Sequence, residues 1–431
     1  MSELVGSNLP IIKRQNRSAV LKTLLRHGPL PRREVGFRTL LTPSTITNLV
    51  GELLDQGLVR EIPVVASPRH DRVGRRPVLL EINSSGGYVL GAYVGATTLT
   101  VTIGDLRARV LGYRQTPLHR DLSEEGFLDL LVSEIKLLLA EHATPLDRVY
   151  GIGVTPAGDV DAHRGLLLRL PEHPWRDLPL VADLQARLSL PVAIENSREA
   201  MALAEMVFGG AQGVSSLVLI HLAWSIGCSL VIDQRVYSGD HGGAGRLGHV
   251  VVEENGAPCS CGKRGCLNTI ASAKGIVRIA RAEAESATDS TLWHFHDGDL
   301  SQLTDLDVLK AADEGDPAAQ RAVWRIATAL GQVIANLILV LDPSMVVVAG
   351  RVVEASNALF APLHQVVDSI VYPATGLASN LQLSAFGEEG PRVAGLTLAL
   401  QSFVYSPALT LPTDTADDPP DERLNRVWLE A

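Results

Sequence analysis

The stretch His241-Gly242-Gly243-Ala244-Gly245-Arg246-Leu247-Gly248-His249, taken up again at Cys259-Ser260-Cys261-Gly262-Lys263-Arg264-Gly265-Cys266-Leu267-Asn268, decides how the chain is read. It spaces one imidazole and three thiols as His, nine residues, Cys, one residue, Cys, four residues, Cys. Three thiolates and one imidazole fill the tetrahedral shell of a zinc ion. His249, Cys259, Cys261 and Cys266 are therefore the predicted metal ligands, and Gly262 and Gly265 let the backbone fold tightly around an ion. Four protein ligands leave no position for an activated water, so the predicted Zn2+ is structural, not catalytic. The alternative is three reduced cysteines without a metal, although thiols crowded in this way ordinarily mark a metal or redox role. Cys228 stands alone on an apolar run and is predicted to be a core residue.

Outward from this knot, composition sets limits. The chain has 431 residues, 46% of them apolar, which suggests two or three domains and excludes a mostly disordered protein. Four cysteines exclude a disulfide-stapled secreted scaffold. The start shows no signal-peptide pattern. The longest apolar stretch, 326–341, is interrupted by Thr328, Gln332 and Asn336, so a buried helix is expected there and no membrane span of about 20 apolar residues. A soluble cytoplasmic protein without a membrane partner is the expectation. The formal charge of −10 hides a split. Residues 1–80 hold thirteen Lys and Arg against six acids, a net of +7, while the remainder is 25 against 42, a net of −17. A basic head on an acidic body fits a protein whose head alone meets phosphate.

Residues 1–15 read as an irregular arm. Val20, Leu21, Leu24 and Leu25 recur at helical spacing and His27-Gly28-Pro29 stops that helix. A second short helix fits 32–38. A third opens at Thr42-Pro43, a cap followed by a first-turn proline, and buries Ile46, Leu49, Val50, Leu53 and Leu54. Strand-like runs follow at 58–62 and 78–82, joined by a loop holding Arg69, His70, Arg72, Arg75 and Arg76. From Tyr88 strands and helices alternate through two successive cycles, which predicts a duplicated α/β body. After Ser406 the chain turns to Pro, Asp and Thr, and a disordered tail over 406–431 is expected, with Trp428 and Leu429 as its apolar residues.

Three helices and a hairpin over residues 1–82 have the form of a winged helix-turn-helix. A helix entering a major groove needs small hydrogen-bonding side chains on its free face, and Ser44, Thr45, Thr47 and Asn48, with Thr42 at the cap, meet that need. Arg32, Arg33 and Arg38 would hold phosphates, and Arg75 and Arg76 on the Gly74–Pro77 turn suit phosphates or a narrow minor groove. The competing reading is a small helical unit with an ordinary solvated polar face. Such units often have Gly in the turn before the recognition helix. Leu40 stands there instead, so the turn is expected to form without a residue that favours positive φ.

With the head and the cysteine knot in place, the chain resembles the ROK family, whose name joins repressors, open reading frames and sugar kinases. The likeness covers about residues 11–405 and is strongest from His241 to His249 and through the knot to Leu267-Asn268. It implies an α/β fold in which an N-terminal winged helix-turn-helix precedes a two-lobed, actin-like sugar-kinase body (83–405) with a structural zinc. Members with such a head are transcriptional regulators, mostly of sugar metabolism.

The chain departs from the kinases of that family at three places. Their first phosphate loop, Asp-x-Gly-Gly-Thr, is Tyr93-Val94-Gly95-Ala96-Thr97 here. Their second, Gly-Thr-Gly-x-Gly, is Ala223-Trp224-Ser225-Ile226-Gly227. Their Asn-Asp pair, which carries the catalytic base, is Asn196-Ser197. A tyrosine cannot organise magnesium as a carboxylate does, Trp224 obstructs a backbone cradle for phosphate, and a serine hydroxyl cannot take a sugar proton at neutral pH. No phosphoryl transfer is expected, and no catalytic residue is assigned.

The resemblance also implies a sugar site at Gly158, Asn196, Ser197, Arg246, His249 and Asn268. Arg246 and Asn268 replace two glutamates of the family. Carboxylates that would accept sugar hydroxyls become a cation and an amide. An anionic effector such as a sugar phosphate pairing with Arg246 is one expectation, and an internal ion pair of Arg246 with no ligand is the other. The reading that follows is a repressor binding a double-stranded DNA operator as a homodimer or homotetramer. Its rivals are a sugar kinase with a DNA-binding head and a body serving only as a protein-interaction platform.

Overall fold

The computed structural model of the chain describes residues 9–63, 78–240 and 243–406. The chain divides into two units, one formed by Met1–Ala200 with Arg392–Ala431, the other by Met201–Pro391.

The first unit opens with α1 (Leu9–His27), which starts well inside the stretch expected to be an arm. Pro10 sits in its first turn, where the missing N–H costs nothing. After β1 (Leu30–Pro31) come α2 (Arg32–Thr39), α3 (Pro43–Asp55), β2 (Val59–Pro63) and β3 (Val78–Ile82). The sheet has three strands, β1-β3-β2, all antiparallel, where two were expected. A two-residue strand is too short to show any alternation. Val20, Leu21, Leu24, Val35, Ile46, Leu49, Val50, Leu53 and Leu80 are buried around this sheet, while Leu54 is only half-buried.

The body of this unit runs through β4 (Tyr88–Val94), β5 (Thr98–Gly104), β6 (Val110–Pro117), α4 (Glu124–Glu141) and β7 (Val149–Pro156). A small antiparallel sheet follows, of β8 (Asp159–Asp161), β9 (Leu166–Arg169) and β10 (Arg176–Leu178). Then come α5 (Leu180–Leu188), β11 (Val192–Ile194) and α6 (Ser197–Val207), which carries the chain into the second unit. The main sheet is ordered β11-β7-β4-β5-β6, with β4, β7 and β11 parallel and β4-β5-β6 an antiparallel meander. The closing helix Gly390–Leu400 lies against this sheet. A Cβ on Gly395 would fall 2.8 Å from the Gly91 Cα, and one on Gly153 would fall 2.2 Å from the Gly395 oxygen. The backbones touch, so only glycine fits at these crossings. The helix ends in a π turn, Gln401–Tyr405, where the buried Tyr405 hydroxyl donates to the Leu106 carbonyl. Ser406 and Ser18 of α1 place their hydroxyls 3.4 Å apart.

The second unit repeats the plan. It consists of β12 (Leu217–Leu222), β13 (Ile226–Ile232), β14 (Arg235–Val236), α7 (Asn268–Ala271), α8 (Ala273–Glu285), α9 (Asp305–Asp313), α10 (Pro317–Leu341), β15 (Met345–Ala349), α11 (Arg351–Glu354), α12 (Asn357–Thr375) and β16 (Leu381–Leu383). Its sheet is ordered β14-β13-β12-β15-β16, again three antiparallel strands and then two parallel ones. Every residue of β15 is buried, as befits a strand covered on both faces. Cys228 lies on β13, buried, as its apolar neighbours predict. The apolar helix α10 is long enough to cross a membrane but buries Ala322, Ile326, Leu330 and Ile334 in the core of this unit. That spacing of four residues is the inward stripe of a core helix.

Candidate functional site

In the second unit a 3-10 turn (Leu247–His249) delivers His249, and a loop closed by the bridges Val251↔Cys266 and Pro258↔Arg264 delivers the cysteines. Four ligand atoms of His249, Cys259, Cys261 and Cys266 all lie within 4.8 Å of one another. The Cys259 sulfur is 3.6 Å from His249 Nδ1 and the Cys261 and Cys266 sulfurs are 3.6 Å apart. A tetrahedral ion holding sulfurs at about 2.3 Å would set them about 3.8 Å apart, so the donor set fits a metal ion with little movement. Gly265 turns at φ 66°, and a Cβ there would lie 1.7 Å from the Glu253 carbonyl oxygen. Lys263 Nζ donates to the His249 carbonyl at 2.9 Å and ties the two ligand segments together. The thiols differ in acidity. The backbone N–H of Lys263 holds the Cys261 thiol below its ordinary pKa, whereas burial, with the neighbouring thiols, pushes the Cys266 pKa up to about 12.

The six expected sugar-site residues divide between the units. In the first, Asn196 is buried and both ends of its amide are hydrogen-bonded. Its Nδ2 donates to the Gly158 carbonyl and its Oδ1 accepts from the Arg198 N–H at 3.0 Å. Gly158 has no room for a side chain, because a Cβ would fall 2.2 Å from the Arg169 oxygen. Ser197, the first residue of α6, is buried. In the second unit Arg246 is exposed, and Asn268 Oδ1 accepts from the Ile226 N–H at 2.7 Å. Asn268 is therefore a latch on the loop Ala223–Gly227. Its side chain also fills the space over Gly248, where a Cβ would lie 2.4 Å from its Oδ1.

The two segments expected to match phosphate loops, 93–97 and 223–227, each carry a large ring. Tyr93 lies on β4, and a Cβ on Gly95 would come 3.1 Å from its ring, so the ring lies against the loop. Burial raises the Tyr93 hydroxyl above its usual value, so it stays neutral. Trp224 is capped by Lys274, whose Nζ is 3.9 Å from the ring centroid, a cation–π contact. One group escaped the sequence reading. The carboxyl of Glu195 is held well above the ordinary range by burial first, then by the charge and hydrogen bond of Glu199. It accepts from the Asn196 N–H at 2.7 Å. The pair Asn196-Ser197 was singled out in the sequence, but the surroundings of the preceding Glu195 depend on tertiary packing.

On the head, the Thr42 side chain accepts from the Thr45 N–H at 3.3 Å and caps α3, with Pro43 in its first turn. Thr42, Ser44, Thr47 and Asn48 are exposed and Thr45 half-exposed, opposite the buried Ile46, Leu49 and Val50. Arg32 pairs with Glu61 at 2.8 Å and Arg38 with Glu34 at 2.9 Å. Among the described residues Arg33 is exposed and pairs with no carboxylate. Arg69, His70, Arg72, Gly74, Arg75, Arg76 and Pro77 lie outside the described residues, as does the tail over 407–431. The turn is made, as expected, without a residue that favours positive φ. Leu40 itself takes the left-handed conformation, φ 56° and ψ 25°, and its N–H bonds the Gly36 carbonyl. For a residue with a Cβ this costs about 1 kcal/mol.

The ROK family profile matches residues 89–401, most of the chain. The chain belongs to the ROK family. This ROK protein is 29% identical over 360 residues to a putative xylose repressor of Caldicellulosiruptor sp. (strain Rt8B.4), covering 84% of this chain and 89% of that protein. It is 30% identical over 318 residues to a glucokinase of Halalkalibacterium halodurans, which covers 74% of this chain and 96% of the kinase. Among solved structures, a ROK family transcriptional regulator described as a homologue of the E. coli MLC protein superposes with a TM-score of 0.79 at 30% identity, covering 92% of this chain and 97% of that one. The α/β body is thus the ROK sugar-kinase-like fold.

Proposed function

We propose that this ROK protein is a sugar-responsive transcriptional repressor without kinase activity. The observation that carries the reading is the extent of the likeness. A glucokinase accounts for 74% of the chain, whereas a transcriptional regulator accounts for 92%. Residues 1–82 form the winged helix-turn-helix, 83–405 the body, and 406–431 a tail. In the head, α3 enters the major groove with Thr42, Ser44, Thr45, Thr47 and Asn48 toward base edges. Arg32, Arg33, Arg75 and Arg76 hold phosphates, Arg32 by exchanging its surface partner Glu61 for DNA. Exposed ion pairs of that kind are worth little and are readily traded. Two heads of a dimer or tetramer on two half-sites multiply the specificity of one.

His249, Cys259, Cys261 and Cys266 hold a zinc ion that braces the loop, and a full set of four protein ligands gives it no catalytic role. The absence of phosphoryl transfer rests on Tyr93, Trp224 and Ser197, none of which can do the work of the group it replaces. The effector is a sugar or sugar phosphate. The exposed guanidinium of Arg246 favours an anionic one. Asn268 contributes by holding its loop, since its amide oxygen is already engaged.

The test is selection of duplexes from a random pool by the full-length protein, followed by titration of the selected operator with xylose, N-acetylglucosamine and their phosphates. Selection of a two-half-site operator whose affinity changes with one of these sugars supports the reading. Failure to retain any duplex, or sugar-dependent consumption of ATP in a coupled assay, overturns it.

A further inference from the structure

Two unfavourable features meet at Leu40. Its backbone is left-handed, and its side chain is 91% exposed. The fold gains nothing from a leucine here, because glycine or asparagine makes the same turn without the clash between Cβ and carbonyl. Three residues earlier Phe37 is 76% exposed. The spacing from Arg33 to Phe37 puts the cation and the ring on one face of α2. Leu40 stands two residues before the capping Thr42, so this apolar pair borders the exposed hydroxyl and amide groups of α3.

A surface that docks another protein joins its apolar side chains into one patch with few charges at its centre. Here two large apolar groups alternate along the chain with Arg33, Arg38, Thr42 and Ser44, all polar and all exposed. Duplex DNA matches that mixture. Its phosphates take cations, its base edges take hydroxyls and amides, and its major groove offers one apolar feature, the C5 methyl of thymine. We propose that Leu40, backed by Phe37, reads a thymine methyl in each operator half-site and is a specificity-determining residue of the head. The inference rests on the DNA-binding reading and refines it.

The experiment uses the full-length protein and the duplex it selects from a random pool. Affinities at fixed salt are measured for that duplex and for copies in which one thymine at a time is replaced by uracil, which removes the methyl and keeps every hydrogen bond. The wild type is compared with Leu40→Gly and Leu40→Asn, both of which tolerate the left-handed turn. For the wild type, loss of one particular methyl weakens binding about fourfold, the worth of one buried methyl-sized group. Each variant binds the thymine duplex more weakly by a similar factor and no longer distinguishes thymine from uracil there. Neither variant melts below the wild type. Equal weakening of the variants on both duplexes, or a wild type indifferent to every methyl, overturns the inference while leaving DNA binding intact. If no duplex is selected at all, the DNA-binding reading fails and takes this inference with it.

Discussion

Glu195 sits half-buried beside Glu199, and its carboxyl keeps its proton well above the ordinary 4.5. A carboxyl whose folded value is raised supports the fold fully below its unfolded value. That support is lost as pH rises from about 4.5 toward the folded value, because only the unfolded chain ionises freely there. Replacing Glu195 by Gln keeps an oxygen for the Asn196 N–H and removes the titration. The Glu195→Gln variant should match the wild type near pH 4 and melt higher at pH 7, by on the order of a few degrees. Thermal melts across that range would show it, and parallel curves would refute the assignment. The neighbouring Ser197 supports a second prediction. Ser197→Asp supplies the carboxylate expected of the kinases, but Tyr93 and Trp224 remain in the two segments expected to match their phosphate loops. A coupled assay should find no sugar-dependent ATP turnover. Residue types at 93, 197 and 224 could be read from the sequence because chemistry alone decides them. The proton on Glu195, the locked amide of Asn196 and the latch made by Asn268 could not, since each depends on what the fold brings near.

Among the elements, α3 was legible from its cap, proline and apolar stripe, all local signals. The start of α1 and the two residues of β1 were not. Asn8 before Leu9-Pro10 is a cap-and-proline signal that reading 1–15 as an arm passed over, and a strand of two residues exists only through its pairing with Leu79 and Leu80. Because Thr42 caps α3, the helix proposed to face DNA, Thr42→Ala should cost about 1 kcal/mol. The loss should appear as faster amide exchange in the first turn of α3 and as weaker operator binding. The cysteine loop behaves as a second such element. Its spacing announced the ligand set, and the fold brings the four ligand atoms within 4.8 Å. Its packing is tight at Gly265 and otherwise built from turns, so the proposed ion would supply much of its order. Plasma emission should find one zinc per chain in the wild type and a loss of metal in Cys266→Ser. A strong chelator should lower the melting midpoint by several degrees, and added zinc should restore it. A wild type that melts identically with and without chelator would remove the metal from the account.

At the scale of the whole chain, two sheets with one strand order recur in two units, and the glycine contacts of Gly91, Gly153 and Gly395 fix the closing helix of the first. The alternation of strands and helices foretold the repetition, but the order within each sheet depends on crossovers that no local pattern encodes. Charge is distributed as unevenly as the fold is regular. The first eighty residues carry +7 and the rest −17. Part of the positive charge is already paired, Lys13 with Glu52, Arg32 with Glu61, Arg38 with Glu34 and Arg60 with Glu81. All four pairs have an exposed cation, so phosphate can displace the carboxylate at small cost. Binding should then be driven by counterion release from the duplex, opposed by repulsion between the acidic remainder and DNA. If a dimer neutralises six or more phosphates, affinity should fall by about 10³-fold or more between 50 and 200 mM salt. Arg33→Ala, which removes a cation with no described carboxylate partner, should flatten the slope of log affinity against log salt by about 2 per dimer. Arg60→Ala, on the outer strand, should change it less. A wild-type slope near zero would mean that the basic head does not grip phosphate, and the division of charge along the chain would need another cause.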